Sequence, residues 1–326
     1  MTDFDLPTMR VPLPWQQSQW ERLLQQRQRQ QLPHALLLGG PAGIGKRRFA
    51  QALSVALLCQ SPEQGALTAC GSCRACQLLA VGNHPDWLWV APEERGKAIR
   101  IDQVRQIVEF AAQTGQRGER QVVVIEPAEA LNRHAANAVL KTLEEPSGGT
   151  LLLLVSDAPG RLLPTIRSRC QRLDFPVPAA ADTRAWLAPL ASDEAELDQL
   201  MAETGGRPMA ARALLEGDAL ARCQERSREL DELLEGRLSP LVLAQRWKDA
   251  EFEPLLSWLS ARLSDAVRCA LGGNLALLNR RLATLPPARL FALLDEVQRL
   301  LTLQRSGSNP NRQLALEALL LHLTTH

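Results

Sequence analysis

Short runs of consecutive apolar residues recur in the first half of the chain and are typical of strands buried on both faces of a sheet. The three clearest runs are Ala35–Leu38, Val122–Ile125 and Leu151–Val155. Stretches with a helical pattern separate them. Beyond about residue 175 no comparable run follows, and leucine-rich amphipathic patterns continue to the end of the sequence. This order predicts an α/β first domain with a parallel sheet, followed by a helical remainder.

Breaks in the pattern divide the 326 residues into three predicted domains. Several domains are expected because a single hydrophobic core rarely grows beyond about 250–300 residues. The segment 175–179 contains two prolines and ends the first domain, which we predict to cover 1–175. A small helical domain is predicted over 176–217, and a larger helical domain over 218–326.

Charge and composition do not favour an autonomous nucleic-acid-binding protein or a membrane protein. The chain carries 37 Lys and Arg against 36 Asp and Glu, and this balance lacks the strong basic excess of an autonomous nucleic-acid-binding protein. Local basic residues such as Arg133 and Lys141 are either DNA contacts or an ordinary solvated helix face. The helical segments are too charged to span a bilayer, and no secretory segment is visible. We therefore expect a cytoplasmic protein without membrane contacts.

The segment from Gly40 to Arg47 reads GPAGIGKR, a phosphate-binding loop that lacks one of its usual residues. In such loops backbone N–H groups and the lysine, here Lys46, hold the phosphates, and the hydroxyl of the next residue ligates Mg²⁺. Arg47 stands at that position and cannot ligate a cation. A strand-like run before the loop and a helical pattern after it favour a nucleotide-binding fold over a glycine-rich turn without a ligand. The candidate phosphate-binding residues are Gly40, Gly43, Gly45 and Lys46.

After the second strand-like run, Val122–Ile125, the chain also lacks residues that a P-loop ATPase uses for catalysis. P-loop ATPases commonly end this strand with an Asp that holds the metal and a Glu that activates water. Glu126 occupies the first of these positions and Pro127 the second. Because proline has no side chain able to accept a proton, the general base is missing. Together with Arg47, this loss predicts that the chain does not hydrolyse ATP, and it leaves open whether Lys46 still binds a nucleotide.

Four cysteines lie close together in the sequence with the spacing C-x10-C-x2-C-x2-C. They are Cys59, Cys70, Cys73 and Cys76. Two consecutive CxxC steps let a tight loop present thiolates to one ion, and four thiolates around Zn²⁺ make a closed structural site. Disulfides are the alternative, which seven cysteines and the lack of a secretory segment do not favour. We predict a zinc module over about 59–76 and expect the other three cysteines to be buried small hydrophobic residues.

Two further segments make the chain recognisable. Residues 137–146 read NAVLKTLEEP and residues 167–170 read RSRC. Together with the degenerate loop, Pro127 and the cysteine cluster, these segments resemble the clamp-loader branch of the AAA+ ATPases, and the likeness runs from about Pro14 to the C-terminus. The resemblance implies that the three predicted domains are, in chain order, an AAA+ P-loop domain with the inserted zinc module, a small helical lid and an all-α collar that mediates oligomerisation.

The resemblance also implies roles for individual residues. In that family the arginine of the Ser-Arg-Cys motif reaches the γ-phosphate of ATP on a neighbouring subunit, which makes Arg169 a candidate arginine finger acting in trans. A planar, always charged guanidinium suits this task, although sequence position alone favours a surface ion pair worth about 0–1 kcal/mol. Ser156 takes the polar sensor position beside the phosphates. In the lid, Pro208 stands where the family carries a nucleotide-sensing arginine.

The function implied by the resemblance is that of a non-hydrolysing subunit of the bacterial DNA polymerase III clamp loader. Such a subunit is a rigid stator that supplies Arg169 to a neighbouring ATPase while the complex loads the sliding clamp onto primed DNA. Its implied partners are the gamma and tau ATPase subunits and delta, and, through the complex, the sliding clamp and primer–template DNA.

Two alternatives remain, one within the same fold and one from a different class of protein. An ATP-hydrolysing motor subunit of gamma or tau type would carry the metal and base residues that are missing here. A zinc-dependent DNA-binding protein would need a basic, aromatic finger, whereas residues 65–77 contain a single basic residue and no aromatic residue.

Overall fold

The computed structural model describes residues 11–62, 67–94, 96–112, 120–144, 149–272, 281–305 and 310–324. The chain forms two compact units that divide after Pro178. Glu145 and Pro146 of the NAVLKTLEEP segment lie outside the described residues, as does the part of the predicted zinc module from 63 to 66. The separation of the second unit into a lid and a collar stays a prediction.

The first unit is built around a five-stranded parallel sheet with the strand order β2-β3-β4-β1-β5. Its strands are β1 (Ala35–Gly39), β2 (Trp87–Val90), β3 (Gln121–Ile125), β4 (Thr150–Ser156) and β5 (Gln171–Asp174). The three central strands β1, β3 and β4 contain the predicted apolar runs and are buried throughout. The predicted α/β class with a parallel sheet is confirmed.

The two edge strands, β2 and β5, are not predicted by the apolar pattern. Each is four residues long. β5 reads QRLD and has a single apolar residue, and the two middle residues of β2, which reads WLWV, are only half-buried. In β5 the single buried residue, Leu173, lies between exposed Arg172 and exposed Asp174. A strand at the edge of a sheet can carry such charged residues because one side of it faces solvent.

Helices pack on both faces of this sheet. They are α1 (Gln17–Gln28), α2 (Lys46–Leu58), α3 (Arg74–Ala80), α4 (Ile101–Ala112), α5 (Arg133–Glu144) and α6 (Pro164–Arg167). Alternate residues of β1 enter two different hydrophobic clusters: Leu36 joins the cluster that contains Phe49 of α2, and Leu37 joins the one that contains Val139 of α5. Helix α2 is therefore fixed against one face of the sheet directly after the candidate phosphate-binding loop.

The second unit is entirely helical in its described residues, which confirms the predicted helical remainder. Its helices are α7 (Ala180–Leu187), α8 (Glu194–Thr204), α9 (Pro208–Leu214), α10 (Ala219–Leu234), α11 (Pro240–Trp247), α12 (Phe252–Ala270), α13 (Pro287–Arg305) and α14 (Arg312–Thr324). One small core joins α7, α8 and α9, and a larger core joins α10 to α14. None of the helices that the structure describes is both long enough and apolar enough to cross a membrane.

A buried ionic network joins α8 to α10 and α12. The Arg262 side chain is only 3% exposed, and its Nη1 donates to the carbonyl oxygen of Ala202 at 3.3 Å. Its Nη2 lies 3.4 Å from Asp265 Oδ2, and its Nη1 lies 3.9 Å from Glu203 Oε2. Ser227 Oγ donates to the other carboxylate oxygen of Glu203. Burial raises the pKa of the Glu203 carboxyl, and the charge of Arg262 opposes that rise.

Replacing Arg262 by alanine should destabilise the second unit strongly, because the buried carboxylate of Glu203 would lose its cation and that of Asp265 would keep only the partly exposed Arg268. We expect a loss of about 3–5 kcal/mol in the free energy of unfolding, measured by urea denaturation of the full chain. Arg246→Ala is the matched control, since Arg246 is exposed and pairs with Glu229; its loss should stay within about 1 kcal/mol. Equal losses for the two variants would contradict the assigned role of the network.

Candidate functional site

The candidate phosphate-binding loop lies at the carboxyl end of β1, where the ends of β3 and β4 also meet. Gly43 and Gly45 have φ angles of 80° and 92°, left-handed values that favour glycine. Gly40 is required by space, because a Cβ atom there would lie 2.1 Å from the carbonyl oxygen of Phe175. The glycines of the motif are therefore explained by the path of the backbone, with or without a ligand.

Lys46, the first residue of α2, directs its ammonium group into the loop. Its Nζ donates to the carbonyl oxygens of Gly40 and Pro41, both at 2.7 Å, and to Asp157 Oδ1 at 2.6 Å. The side chain is 3% exposed. Since an ammonium group has three hydrogens, these three contacts use all of them. The positive charge that would hold a phosphate is paired with a carboxylate of the chain itself.

Two residues near the start of the described chain hold the far side of the loop. Trp15 Nε1 donates to the carbonyl oxygen of Ile44 at 3.0 Å, and Gln16 Nε2 donates to the carbonyl oxygen of Gly45 at 3.1 Å. Gln16 is buried. These bonds fix the loop carbonyls that precede α2, so the loop is held by side chains on one side and by Lys46 on the other.

Arg47 and Glu126 face each other at the positions where a P-loop ATPase handles its metal. Arg47 Nη1 lies 3.3 Å from Glu126 Oε2. The Arg47 guanidinium also lies over the ring of Trp89, 5.3 Å from its centroid, in a cation–π contact. Burial raises the pKa of the Glu126 carboxyl to about 7, and the charge of Arg47 opposes this rise. The two positions that would handle Mg²⁺ in a P-loop ATPase are thus occupied by a cation and a carboxylate that pair with each other.

Ser156, the candidate sensor residue, ends β4 and is completely buried. Its Oγ accepts a hydrogen bond from the backbone N–H of Ala158 at 3.2 Å. The hydroxyl therefore shapes the turn that carries Asp157 towards Lys46. In the second unit, Pro208 is the first residue of α9, so the predicted position of the lost sensor arginine is at a helix start.

The four predicted zinc ligands come together. The Sγ atoms of Cys59, Cys70, Cys73 and Cys76 all lie within 4.8 Å of one another. The Sγ of Cys59 is 3.6 Å from that of Cys70 and 3.9 Å from that of Cys73. A tetrahedral zinc ion with Zn–S bonds of about 2.3 Å separates its sulfur atoms by about 3.8 Å. The donor set and its spacing therefore fit one zinc ion, and none of the seven cysteines, all of which the structure describes, forms a disulfide.

Backbone N–H groups point at these sulfur atoms. The N–H of Cys70 donates to Cys59 Sγ and that of Cys73 donates to Cys70 Sγ, both at 3.3 Å. Hydrogen bonds from the backbone N–H groups of Ser72 and Cys73 lower the pKa of the Cys70 thiol to about 6. Gly71 makes the turn between the cysteines with a φ of 74°. Such bonds favour the thiolate, which is the form that binds a metal.

The other cysteines and His84 lie outside this cluster. Cys170 is buried, and burial raises the pKa of its thiol to about 12. The expectation of burial is wrong for Cys223 and Cys269, which are half-buried because they lie on helix faces that border solvent. His84 is buried, and its Nδ1 accepts the backbone N–H of Asp86, so its ring has a structural role.

Arg169 lies at the opposite end of the sheet from the loop. It precedes β5, and Gln171 at the start of β5 pairs with Leu36 near the start of the parallel strand β1. The loop instead follows the carboxyl end of β1. The Arg169 side chain is 35% exposed, and its Nη2 lies 2.5 Å from Oε1 of Glu144. The sheet thus separates Arg169 from the loop of its own chain.

Comparison with known proteins identifies a family to which the chain is similar. A family model described as "DNA polymerase III, delta subunit" matches residues 15–179, and one described as "DNA polymerase III, delta subunit, C terminal" matches 219–325. The first model covers half of the chain, and its match contains both the degenerate loop and the cysteine cluster.

Three curated relatives carry the name DNA polymerase III subunit delta′. The relative from Pseudomonas aeruginosa is 48% identical over 247 residues, 75% of this chain and 74% of the relative. That from Escherichia coli is 33% identical over 319 residues, 95% of this chain and 94% of the relative. That from Haemophilus influenzae is 34% identical over 236 residues, 72% of this chain and 71% of the relative. The chain belongs to the DNA polymerase III subunit delta′ family.

Proposed function

We propose that this chain is a non-hydrolysing stator of a clamp loader that places the sliding clamp on primed DNA. The observation that carries the proposal is the pairing of Lys46 and Arg47 with carboxylates of the chain itself. A phosphate would have to displace Asp157 from Lys46, and a metal would have to displace Arg47 from Glu126. Pro127 stands where P-loop ATPases commonly carry the glutamate that activates water, so the usual general base is missing.

The position of Arg169 supports a role in a neighbour's chemistry. The sheet separates this arginine from the loop of its own chain, and a third of its surface is open. An arginine that reaches a transferring phosphoryl group from another subunit can accelerate its transfer about 10³–10⁵-fold. We propose that Arg169 does this for an adjacent ATPase subunit of gamma or tau type.

The remaining partners in this proposal follow from the family. Within a clamp loader the chain would also contact delta, and the complex as a whole would contact the sliding clamp and primer–template DNA. The near-neutral net charge of the chain agrees with DNA contacts that are shared among subunits rather than made by this one alone.

Cys59, Cys70, Cys73 and Cys76 would hold a zinc ion in this proposal. A closed four-thiolate site leaves no position for water, so the ion would contribute stability and not catalysis. It would tie the end of α2, which Cys59 follows, to the start of α3, which Cys73 precedes.

The purified chain alone should show ATP turnover far below the enzyme median of about 10 s⁻¹, because both the metal ligand and the base are absent. The measurement is a steady-state phosphate-release assay with Mg²⁺. Lys46→Ala provides the control for a contaminating ATPase, whose activity it would leave unchanged. Turnover that disappears in Lys46→Ala would overturn the non-hydrolysing assignment.

Protein purified without chelator should contain one zinc ion per chain by elemental analysis. Cys73→Ser should lower this content, since three thiolates and a hydroxyl hold zinc less tightly than four thiolates. Cys223→Ser, at a half-buried cysteine outside the cluster, should keep the full content. An absence of metal from the wild type, or an unchanged content in Cys73→Ser, would refute the zinc module.

Arg169→Ala should slow DNA- and clamp-stimulated ATP hydrolysis by the reconstituted loader while assembly and zinc content stay intact. The lost contact is charged and partly desolvated, so we expect about 2–4 kcal/mol at the affected site, diluted in bulk assays by other sites. Arg169→Lys should rescue poorly because an ammonium lacks the planar fork.

Arg172→Ala is the matched control for Arg169→Ala, since Arg172 is exposed and pairs with Asp174 of the same strand, β5. It should retain the wild-type rate. A wild-type rate in Arg169→Ala, measured as clamp loading onto primed DNA, would show that this arginine is only a surface residue.

A further inference from the structure

Glu144 is the carboxylate partner of Arg169. The two residues belong to the two segments that make the chain recognisable, NAVLKTLEEP and RSRC, which lie apart in the sequence. In the structure the end of α5 and the residues after α6 meet, and Arg169 Nη2 lies 2.5 Å from Glu144 Oε1. This ion pair is a direct contact between the two segments.

The end of α5 that carries Glu144 is itself fixed. Leu143 is buried in the same hydrophobic cluster as Leu37 of β1. Its carbonyl oxygen accepts a hydrogen bond from Nε2 of His34, the residue before β1, at 3.0 Å. Because this end of the helix is tied to the sheet through both the side chain and the backbone of Leu143, the Glu144 carboxylate projects from a rigid element.

Arg169 is held on a second side by its own segment. Its Nη1 donates to the carbonyl oxygen of Thr165 at 3.1 Å, and Ser168 Oγ donates to the same oxygen. Ile166, three residues before Arg169, and Cys170, directly after it, are buried in the core. The backbone on either side of Arg169 is therefore anchored, and the two terminal nitrogens of its guanidinium each have a fixed oxygen partner.

The Arg169–Glu144 ion pair contributes little to the stability of the fold. Glu144 is about half exposed and Arg169 about one third, and ion pairs this open to water contribute little to folding. What the pair does fix is the direction of a long side chain with many rotamers. An arginine already held in one geometry loses less conformational freedom when it contacts a phosphoryl group.

We infer that Glu144 is a positioning residue for Arg169, an inference that rests on the proposed role of Arg169 as an arginine finger. The Glu144 carboxylate and the Thr165 carbonyl engage Nη2 and Nη1 and hold the guanidinium plane in place. The N–H groups that these two oxygens do not use would then meet the γ-phosphate of a neighbour's ATP.

The test is Glu144→Gln, which keeps the shape of the side chain and removes its charge. In the reconstituted loader we expect kcat for clamp- and DNA-stimulated ATP hydrolysis to fall about three- to fivefold, with KM for ATP unchanged. Glu109→Gln, at an exposed glutamate of α4, is the control and should keep the wild-type kcat. An unchanged or raised kcat in Glu144→Gln would overturn the inference.

A double-mutant cycle separates positioning from a structural effect. Glu144→Gln should have no further effect once Arg169 is alanine, because a positioning residue acts only through its partner. An equal fall of kcat in the wild-type and Arg169→Ala backgrounds would overturn the inference and indicate a structural role.

The cycle also distinguishes failure of the inference from failure of the proposed function. A lowered kcat in Arg169→Ala together with a wild-type kcat in Glu144→Gln would support the arginine finger and contradict the positioning role of Glu144. A wild-type rate in Arg169→Ala would contradict both the proposed arginine finger and the positioning role of Glu144.

Discussion

A charge taken out of water must find a partner inside the protein, and this constraint governs the loop between β1 and α2. A protein that binds a metal–nucleotide complex can leave part of that compensation to its ligand. Here Asp157 supplies it to Lys46, and Arg47, which is itself half exposed beside the ring of Trp89, supplies it to the mostly buried Glu126. The loop is therefore electrostatically complete in the free chain, and its fold has no need of a nucleotide.

The sequence predicts those parts of the molecule that have a local pattern. The central strands β1, β3 and β4 contain uninterrupted apolar runs, and the cysteine cluster has its last three ligands within seven residues. The edge strands escape prediction because they are only partly buried, and β5 therefore keeps a single apolar residue, Leu173. Partners that are far apart in the chain escape for another reason: Asp157 lies 111 positions from Lys46, and no spacing rule links them.

The topology of the sheet determines how two of the sequence motifs lie relative to each other, which neither motif indicates by itself. The loop motif and the Ser-Arg-Cys motif both read as nucleotide-handling segments, and the sequence does not say that they lie at opposite ends of the same sheet. Parallel pairing of β1 with β5 imposes that separation. One end of the first unit thus carries a loop whose charged side chains pair with each other, and the other end carries the partly exposed guanidinium of Arg169, held by Glu144.

Helix α2 links two features that look unrelated in the sequence. It begins at Lys46, and Cys59 follows its last residue. Its 13 residues span about 20 Å, and almost all of them are buried. One end is tied through Lys46 to Asp157, and the other end leads into the cysteine cluster. With both of its ends fixed and its sides packed in the core, α2 cannot slide along the sheet or turn against it as a separate body.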